Sequence, residues 1–165
     1  MSKKILVVYY SWSCGNTEKI AEQLADACDA DIARIETVVP YPEDYQETVE
    51  QCQREVNAGF MPEIEPLEYS PADYDVIVIG TPTWWYAMAP AVKTLIAEND
   101  FSGKTVVVLS TNGSWPGNVT ADIEDACTGA SFGPALEVQF DSTGGDHQET
   151  PQSQVDAWIE QIRSL

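Results

Sequence analysis

The chain has 165 residues, 44% of them hydrophobic, which is typical of one globular domain spanning residues 1–165 with its own apolar core. It carries 8 Lys and Arg against 27 Asp and Glu, for a formal net charge of −19. Such a surface repels nucleic acids and anionic lipids, so both are excluded as partners. The same charge favours attraction of a positively charged protein partner, or serves solubility alone.

The cysteines and the N-terminal segment bear on location. Cys14, Cys28, Cys52 and Cys127 are scattered along the chain without C-x-x-C spacing, which argues against a disulfide framework or a zinc site. The apolar segment at residues 5–10 is too short for a signal peptide or a membrane span. We therefore expect a cytoplasmic protein with no membrane insertion.

The first half of the chain alternates between strand and helix patterns. Residues 4–10 are nearly all apolar, which predicts a strand buried on both faces, and residues 17–28 carry apolar side chains at helical spacing. Residues 32–38 alternate between apolar and polar, as in a strand near a sheet edge. Residues 44–58 form a helix pattern, and the proline-rich residues 59–75 form a surface connection.

The second half continues the alternation. Its clearest strand is 76–80, a β-branched run ending at a glycine. The same criteria predict strands at 105–109 and 136–140 and helices at 89–97, 119–127 and 152–162. Five strands alternating with helices indicate an open parallel sheet with helices on both faces.

Three unusual loops follow the first, third and fourth predicted strands. In a doubly wound sheet those strands are neighbours, and ligands bind at their carboxyl ends. The loops are therefore expected to converge on one place.

The first loop is Ser11-Trp12-Ser13-Cys14-Gly15-Asn16-Thr17. Its hydroxyl and amide side chains, the unpaired N–H groups of the following helix and the positive end of the helix dipole all favour an anion. The loop contains no Lys or Arg. This suits a phosphate monoester held by neutral donors better than a triphosphate held by a lysine.

The other two loops supply aromatic and small polar residues. The second contains Pro82 and the adjacent Trp84, Trp85 and Tyr86, and the third is rich in Gly, Ser and Asn around Trp115. Aromatic side chains stack on conjugated rings, so a flat aromatic ligand that carries a phosphate fits the combination. Alternatively, one of the two tryptophans covers the core beneath the loop.

These loops resemble those of a known family. The matching segments are Tyr10-Ser11-Trp12-Ser13 with Gly15-Asn16-Thr17, then Gly80-Thr81-Pro82-Thr83-Trp84-Trp85, then Pro90, and residues 110–117. They resemble the flavodoxins, above all flavodoxin-like proteins with a Trp-Trp pair after the third strand. The order of elements matches over nearly the whole chain, and the lack of a long insertion in the fifth strand resembles the short-chain type.

The resemblance implies a flavodoxin-like α/β fold, with a doubly wound five-stranded parallel sheet of order 2-1-3-4-5 and helices on both faces. It also implies electron transfer through non-covalently bound FMN. No catalytic residue and no metal ligand is implied. The implied FMN-binding residues are Ser11, Trp12, Ser13, Cys14, Gly15, Asn16 and Thr17 around the phosphate, Pro82, Thr83, Trp84, Trp85 and Tyr86 along the flavin ring, and Asn112, Gly113, Ser114 and Trp115 on its other side.

Two positions depart from the family pattern. Cys14 lengthens the phosphate loop by one residue, either as a reactive thiol near a helix N-terminus or as a small filler. Tyr86 stands where many relatives have glycine. A positive φ there costs about 1 kcal/mol or more for a non-glycine residue, so a peptide flip beside the flavin is expected to be weak.

Three functions remain open at this point. The first is an FMN electron carrier that docks redox partner proteins through their basic faces. The second is an NAD(P)H-dependent FMN quinone reductase. The third is a non-redox regulatory or binding module on the same fold, which the absence of an acidic cluster after the first strand disfavours.

Overall fold

A computed structural model describes residues 3–12, 15–141 and 145–165. Its strands are β1 (Ile5–Tyr9), β2 (Asp31–Arg34), β3 (Val76–Trp84), β4 (Ala87–Met88), β5 (Thr105–Asn112), β6 (Ser131–Phe132) and β7 (Leu136–Gln139). Its α-helices are α1 (Asn16–Cys28), α2 (Tyr45–Ala58), α3 (Pro90–Glu98), α4 (Val119–Ala126) and α5 (Gln152–Arg163), with a 3₁₀ turn at Pro71–Asp73.

The strands form one sheet of order β2-β1-β3-β5, in which every neighbouring pair is parallel. Both β6 and β7 pair with β5 in the same direction, at opposite ends of that strand. Only β4 is antiparallel, as the return strand of a hairpin with β3. With β7 as the fifth parallel strand, the predicted order 2-1-3-4-5 is confirmed.

Alternate side chains of each strand pack into two separate cores, one on each face of the sheet. Leu6 and Val8 of β1 face a layer that contains Val92 of α3 and Ile123 of α4. Val7 faces the other layer, which holds apolar residues of α1 and α5. The continuous apolar runs of the central strands exist because both of their faces are buried.

Two strands continue past their predicted ends, which corrects the expected extent of the ligand loops. β3 extends through Pro82 and Thr83 to Trp84, since Thr81 and Pro82 still pair with Ser110 and Thr111 of β5. β5 likewise extends to Asn112. Polar and aromatic residues occupy strand positions here because they lie at the open end of the sheet.

The second strand is shorter than the predicted 32–38. It ends at Arg34, after which the chain leaves the parallel sheet. Thr37 forms an antiparallel bridge with Ile64, and the Val38 amide donates to the Glu63 carbonyl at 2.9 Å. The alternation of apolar and polar residues therefore extends past the end of β2 because the chain there pairs with an antiparallel partner around Ile64. No helix in the described part of the chain is long and apolar enough to cross a membrane.

Candidate functional site

A cleft of about 520 Å³ lies where β1, β3 and β5 end, within the usual size range of small-molecule sites. Five segments line it: the first loop with the start of α1, the β3–β4 hairpin, the end of β5 with the loop after it, α2, and residues that follow β7. The lining residues are Trp12, Asn16, Thr17, Tyr45, Thr48, Val49, Cys52, Pro82, Thr83, Trp84, Trp85, Tyr86, Thr111, Asn112, Gly113, Trp115, Phe140, Asp141 and Gly145. The three loops that the sequence analysis singled out thus meet in one cavity.

The first loop leads into α1 through Gly15, which has φ of 72° and precedes the first helical residue. The Asn16 side-chain amide donates to the carbonyl of Gly145 at 3.1 Å. The hydroxyls of Thr17 and Thr111 form a buried hydrogen bond of 2.8 Å. Asn16 and Thr17 both line the cleft. The Asn16 side chain also joins α1 to Gly145 of the last loop, and the Thr17 side chain joins α1 to β5.

The remaining predicted phosphate ligands lie differently. Ser11 is buried, its hydroxyl accepts the backbone N–H of Glu18 at 3.3 Å, and it is not among the lining residues. Gly15 also does not line the cleft. Ser13 and Cys14 lie outside the described residues, so their predicted roles stay predictions.

The β3–β4 hairpin presents two aromatic residues at its tip. Trp84 pairs with Ala87, which leaves Trp85 and Tyr86 as a two-residue turn with φ of 51° and 65°. Such turns normally use Asn or Gly, because positive φ is unfavourable for other side chains. The Trp85 indole N–H anchors the turn by donating to the Val49 carbonyl of α2 at 3.1 Å.

The two adjacent tryptophans have different surroundings. Trp84 is half-buried and makes edge-to-face contacts with Tyr10, Trp12 and Tyr41, with ring centroids 5.2–6.3 Å apart. It therefore covers the core while still lining the cleft, in agreement with the alternative left open from sequence. Trp85 is 41% exposed at the mouth of the cleft, where a ligand ring can stack on it.

The loop after β5 places its predicted residues on different sides. Asn112, Gly113 and Trp115 line the cleft, and Trp115 is exposed. Ser114 does not line it, since its hydroxyl accepts the side-chain amide of Gln139 at 3.1 Å. The side-chain amide oxygen of Asn112 accepts a hydrogen bond from the Ser114 backbone N–H, and this bond fixes the bend of the loop.

Sequence reasoning missed the wall contributed by α2. Tyr45, Thr48, Val49 and Cys52 line the cleft from that helix, and Tyr45 stacks on Trp12 with ring centroids 5.7 Å apart. In the sequence, Tyr45, Val49 and Cys52 lie at helical spacing on one stripe of the predicted helix 44–58. A stripe of this kind predicts a buried face, but it does not distinguish a core from a ligand cleft.

The thiol of Cys52 and the phenols of Tyr10 and Tyr41, at and behind this wall, are uncharged at neutral pH. Burial, and then the neighbouring Glu55, raises the pKa of Cys52 to about 12. Burial also raises the pKa of Tyr10 and of Tyr41, and the Tyr41 hydroxyl donates to Glu55 at 2.7 Å. Cys52 is therefore a poor nucleophile, and the wall suits an apolar ring.

The residues present fit a flat conjugated ring that carries a phosphate. The buried Thr83 hydroxyl lines the cleft and has no hydrogen-bond partner in the described part of the chain. Buried polar atoms are normally paired, so this oxygen is available to a polar ring edge. The exposed aromatic side chains of Trp85, Tyr86 and Trp115 can stack on the ring. The N-terminus of α1 can bind the phosphate.

A doubly wound sheet with a cleft at its switch point defines the class of doubly wound α/β proteins, which bind their ligands at the carboxyl ends of the strands. Within that class, a flavodoxin family model matches residues 4–162. The chain belongs to the flavodoxin family, so the resemblance seen in the sequence is confirmed.

Solved structures agree with this assignment. A candidate flavoprotein from Bacteroides eggerthii is 26% identical, with a TM-score of 0.78 and coverage of 99% of both chains. One from Bacteroides uniformis is also 26% identical, with a TM-score of 0.79 and coverage of 97% of this chain and 99% of that one. A Lactobacillus acidophilus flavoprotein solved in complex with FMN is 23% identical, with a TM-score of 0.72 and coverage of 95% of this chain and 99% of that one. At this identity the similarity is one of fold. Together with family membership, these relatives confirm the expected flavodoxin-like fold and FMN as the cofactor of the family.

Proposed function

We propose that this protein binds FMN in the cleft and transfers electrons between partner proteins. The observation that carries the proposal is the meeting of three elements in one cavity: the N-terminus of α1, the aromatic hairpin tip at Trp85 and Tyr86, and the loop containing Trp115. FMN supplies the redox chemistry when it is bound.

The chain's own residues would perform three tasks. The first turn of α1 and the loop before it would bind the phosphate through N–H and side-chain donors. Trp85, Tyr86 and Trp115 would flank the ring and exclude water from its faces. Thr83 would offer its hydroxyl, which has no hydrogen-bond partner among the described residues, to the polar edge of the ring.

Partner binding is proposed from charge. With a net charge of −19, the surface would attract a basic docking face over long range. Added salt would screen the charges and weaken that attraction. The described cysteines Cys28, Cys52 and Cys127 are free thiols, which is consistent with our proposal of a reducing cytoplasmic location.

A second candidate is an FMN quinone reductase that uses NAD(P)H. The observation that favours it is the apolar wall of α2, where Tyr45 and Val49 widen the cleft beyond its three loops. Docking of a protein partner does not require such a wall, whereas a small flat substrate would use it.

The first experiment is a titration of the purified protein with FMN, followed by absorbance and flavin fluorescence. Saturable one-to-one binding supports an FMN protein, whereas no binding would favour a non-redox module. The second experiment compares the reduced protein's reaction with a basic c-type cytochrome and steady-state turnover with NADH or NADPH and a quinone. Salt-sensitive cytochrome reduction without turnover supports the carrier, and efficient turnover supports the reductase.

A further inference from the structure

Arg34, the last residue of β2, makes contacts at both ends of the first loop. One guanidinium nitrogen, Nη2, donates to the Ser11 carbonyl at 3.0 Å, and Nη1 donates to a carboxylate oxygen of Glu18 at 2.5 Å. Ser11 and Glu18 are themselves joined, because the Glu18 backbone N–H donates to the Ser11 hydroxyl at 3.3 Å. The three residues therefore form a closed set of hydrogen bonds around the start of α1.

The position of Arg34 is set by the sheet. β2 pairs with β1 so that Arg34 lies opposite Tyr9, two residues before Ser11. The following amide, that of Ile35, donates to the Tyr9 carbonyl at 2.7 Å. The guanidinium thus extends from a fixed backbone across the end of β1 to the loop.

The contacts have an electrostatic consequence for an anion. Glu18 lies in the first turn of α1, where its carboxylate interacts well with the helix dipole but repels a phosphate. The ion pair with Arg34 offsets that repulsion. Glu36 is a further carboxylate near the same guanidinium, 3.9 Å from its Nε.

Global stability does not account for the arrangement. The side chains of Arg34 and Glu18 are 42% and 33% exposed, and ion pairs this exposed contribute little to folding stability. The guanidinium is a rigid fork that donates in two fixed directions, so its effect is on local geometry. Lysine has the charge but not the fork.

We infer that Arg34 is a positioning residue for phosphate recognition. It holds Ser11 and Glu18 so that the donors at the start of α1 are preorganised, and it neutralises the carboxylate that would otherwise oppose a phosphate. It acts through these two residues. The inference rests on the proposed function, in which the cleft binds FMN.

The test compares FMN with riboflavin, which has the same ring and no phosphate. Dissociation constants are measured by flavin fluorescence for the full chain and for Arg34→Gln, Arg34→Lys and Arg163→Gln. Arg163→Gln is the matched control, because Arg163 also pairs with a glutamate, Glu160 at 2.8 Å, but on α5. Far-UV circular dichroism and thermal unfolding verify that each variant is folded.

We expect Arg34→Gln to weaken FMN binding by about fivefold and riboflavin binding by less than about twofold, because the Glu18 carboxylate would no longer be neutralised and would repel only the ligand that carries a phosphate. Arg34→Lys should fall between, and Arg163→Gln should match the wild type. In a Glu18→Gln background the loss on Arg34→Gln should shrink, because the carboxylate to be neutralised is gone.

Three results would overturn the inference. Equal weakening of FMN and riboflavin would assign Arg34 a structural role in the whole cleft. Unchanged FMN binding in Arg34→Gln would remove any role for it. Wild-type protein that binds neither flavin would reject the proposed function itself, and the inference with it.

Discussion

Gly117 lies so close to the backbone of Tyr86 that position 117 has no room for a side chain: a Cβ there would be 2.2 Å from the Tyr86 carbonyl oxygen. The next residue, Asn118, donates its backbone N–H to that oxygen at 3.3 Å. The loop before α4 and the hairpin tip therefore touch backbone to backbone. The positive-φ turn at Tyr86 is supported by a contact that only glycine permits.

The first prediction concerns Gly117→Ala. Its φ of 60° and the overlap with Tyr86 both oppose a methyl group, so we expect the free energy of unfolding to fall by about 2–4 kcal/mol. FMN affinity should fall as well, since the hairpin tip must move. Urea unfolding and FMN titration measure the two effects.

Gly59→Ala is the matched control for this change. Gly59 has a similar φ of 67°, but a Cβ added there would meet no atom of the described residues within 4 Å. It should lose only about 1 kcal/mol of stability and keep wild-type FMN affinity. If both variants behaved alike, backbone conformation alone would explain the effect, and the contact with Tyr86 would have no functional role.

The second prediction concerns the flavin potentials. The turn residue Tyr86 has φ of 65°, so rotation of its peptide is restricted and costly. We expect wild-type protein to take up its two electrons at closely spaced potentials, and Tyr86→Gly to separate them. A potentiometric titration of the FMN-loaded protein followed by absorbance measures the separation.

Asp29→Gly provides the comparison, since Asp29 also has positive φ, 51°, but ends α1 away from the cleft lining. Both glycine variants should stay within about 1 kcal/mol of wild-type stability, because relief of strain is offset by greater chain entropy. Only Tyr86→Gly should change the potentials. Widely separated potentials in the wild type would contradict the prediction.

The fold was predictable because each element's pattern agrees with its environment. The apolar run of β1 predicts burial on both faces, and Leu6 and Val7 indeed face opposite cores. The strand order followed from the family resemblance and from the requirement that parallel strands be connected by helices. The end of β2 was missed because Thr37 finds an antiparallel partner that is distant in sequence.

The site was predictable only where its residues follow strands. Trp84 and Trp85 are adjacent and chemically identical, and only tertiary packing places one against Tyr41 and the other at the mouth. The α2 wall and Arg34 were missed for the same reason. Their patterns are those of ordinary helix and strand residues, and the fold alone brings the α2 residues to the cleft and Arg34 to Ser11 and Glu18.

The third prediction separates two roles of Trp85. If its exposed ring stacks on the flavin, Trp85→Ala should weaken FMN binding by about fivefold or more. Trp85→Phe keeps a ring but loses the hydrogen bond to Val49, so it should retain most of the affinity. Phe132→Ala is the control, an exposed aromatic on β6 outside the cleft lining. FMN affinity that is unchanged in Trp85→Ala would remove Trp85 from the flavin wall.

The fourth prediction is a loss of stability at alkaline pH. Burial raises the pKa of Cys52 to about 12 and that of Cys127 to about 11, from an ordinary value of 9.0. Above pH 9 the unfolded chain releases these protons while the folded chain keeps them. Stability from these groups is therefore complete below about pH 9 and is lost as pH rises from there towards the folded pKa values.

Urea unfolding between pH 7.5 and 10.5, with reducing agent present, tests this. The free energy of unfolding should be flat at low pH and then fall by about 1.4 kcal/mol per pH unit for each such thiol. Cys52→Ala should make the alkaline slope shallower, whatever its effect at pH 7.5. Cys28→Ala should change the slope less, because Cys28 is only half-buried and its pKa is raised less. An alkaline slope that is the same in Cys52→Ala and wild type would show that Cys52 is not a source of the pH dependence.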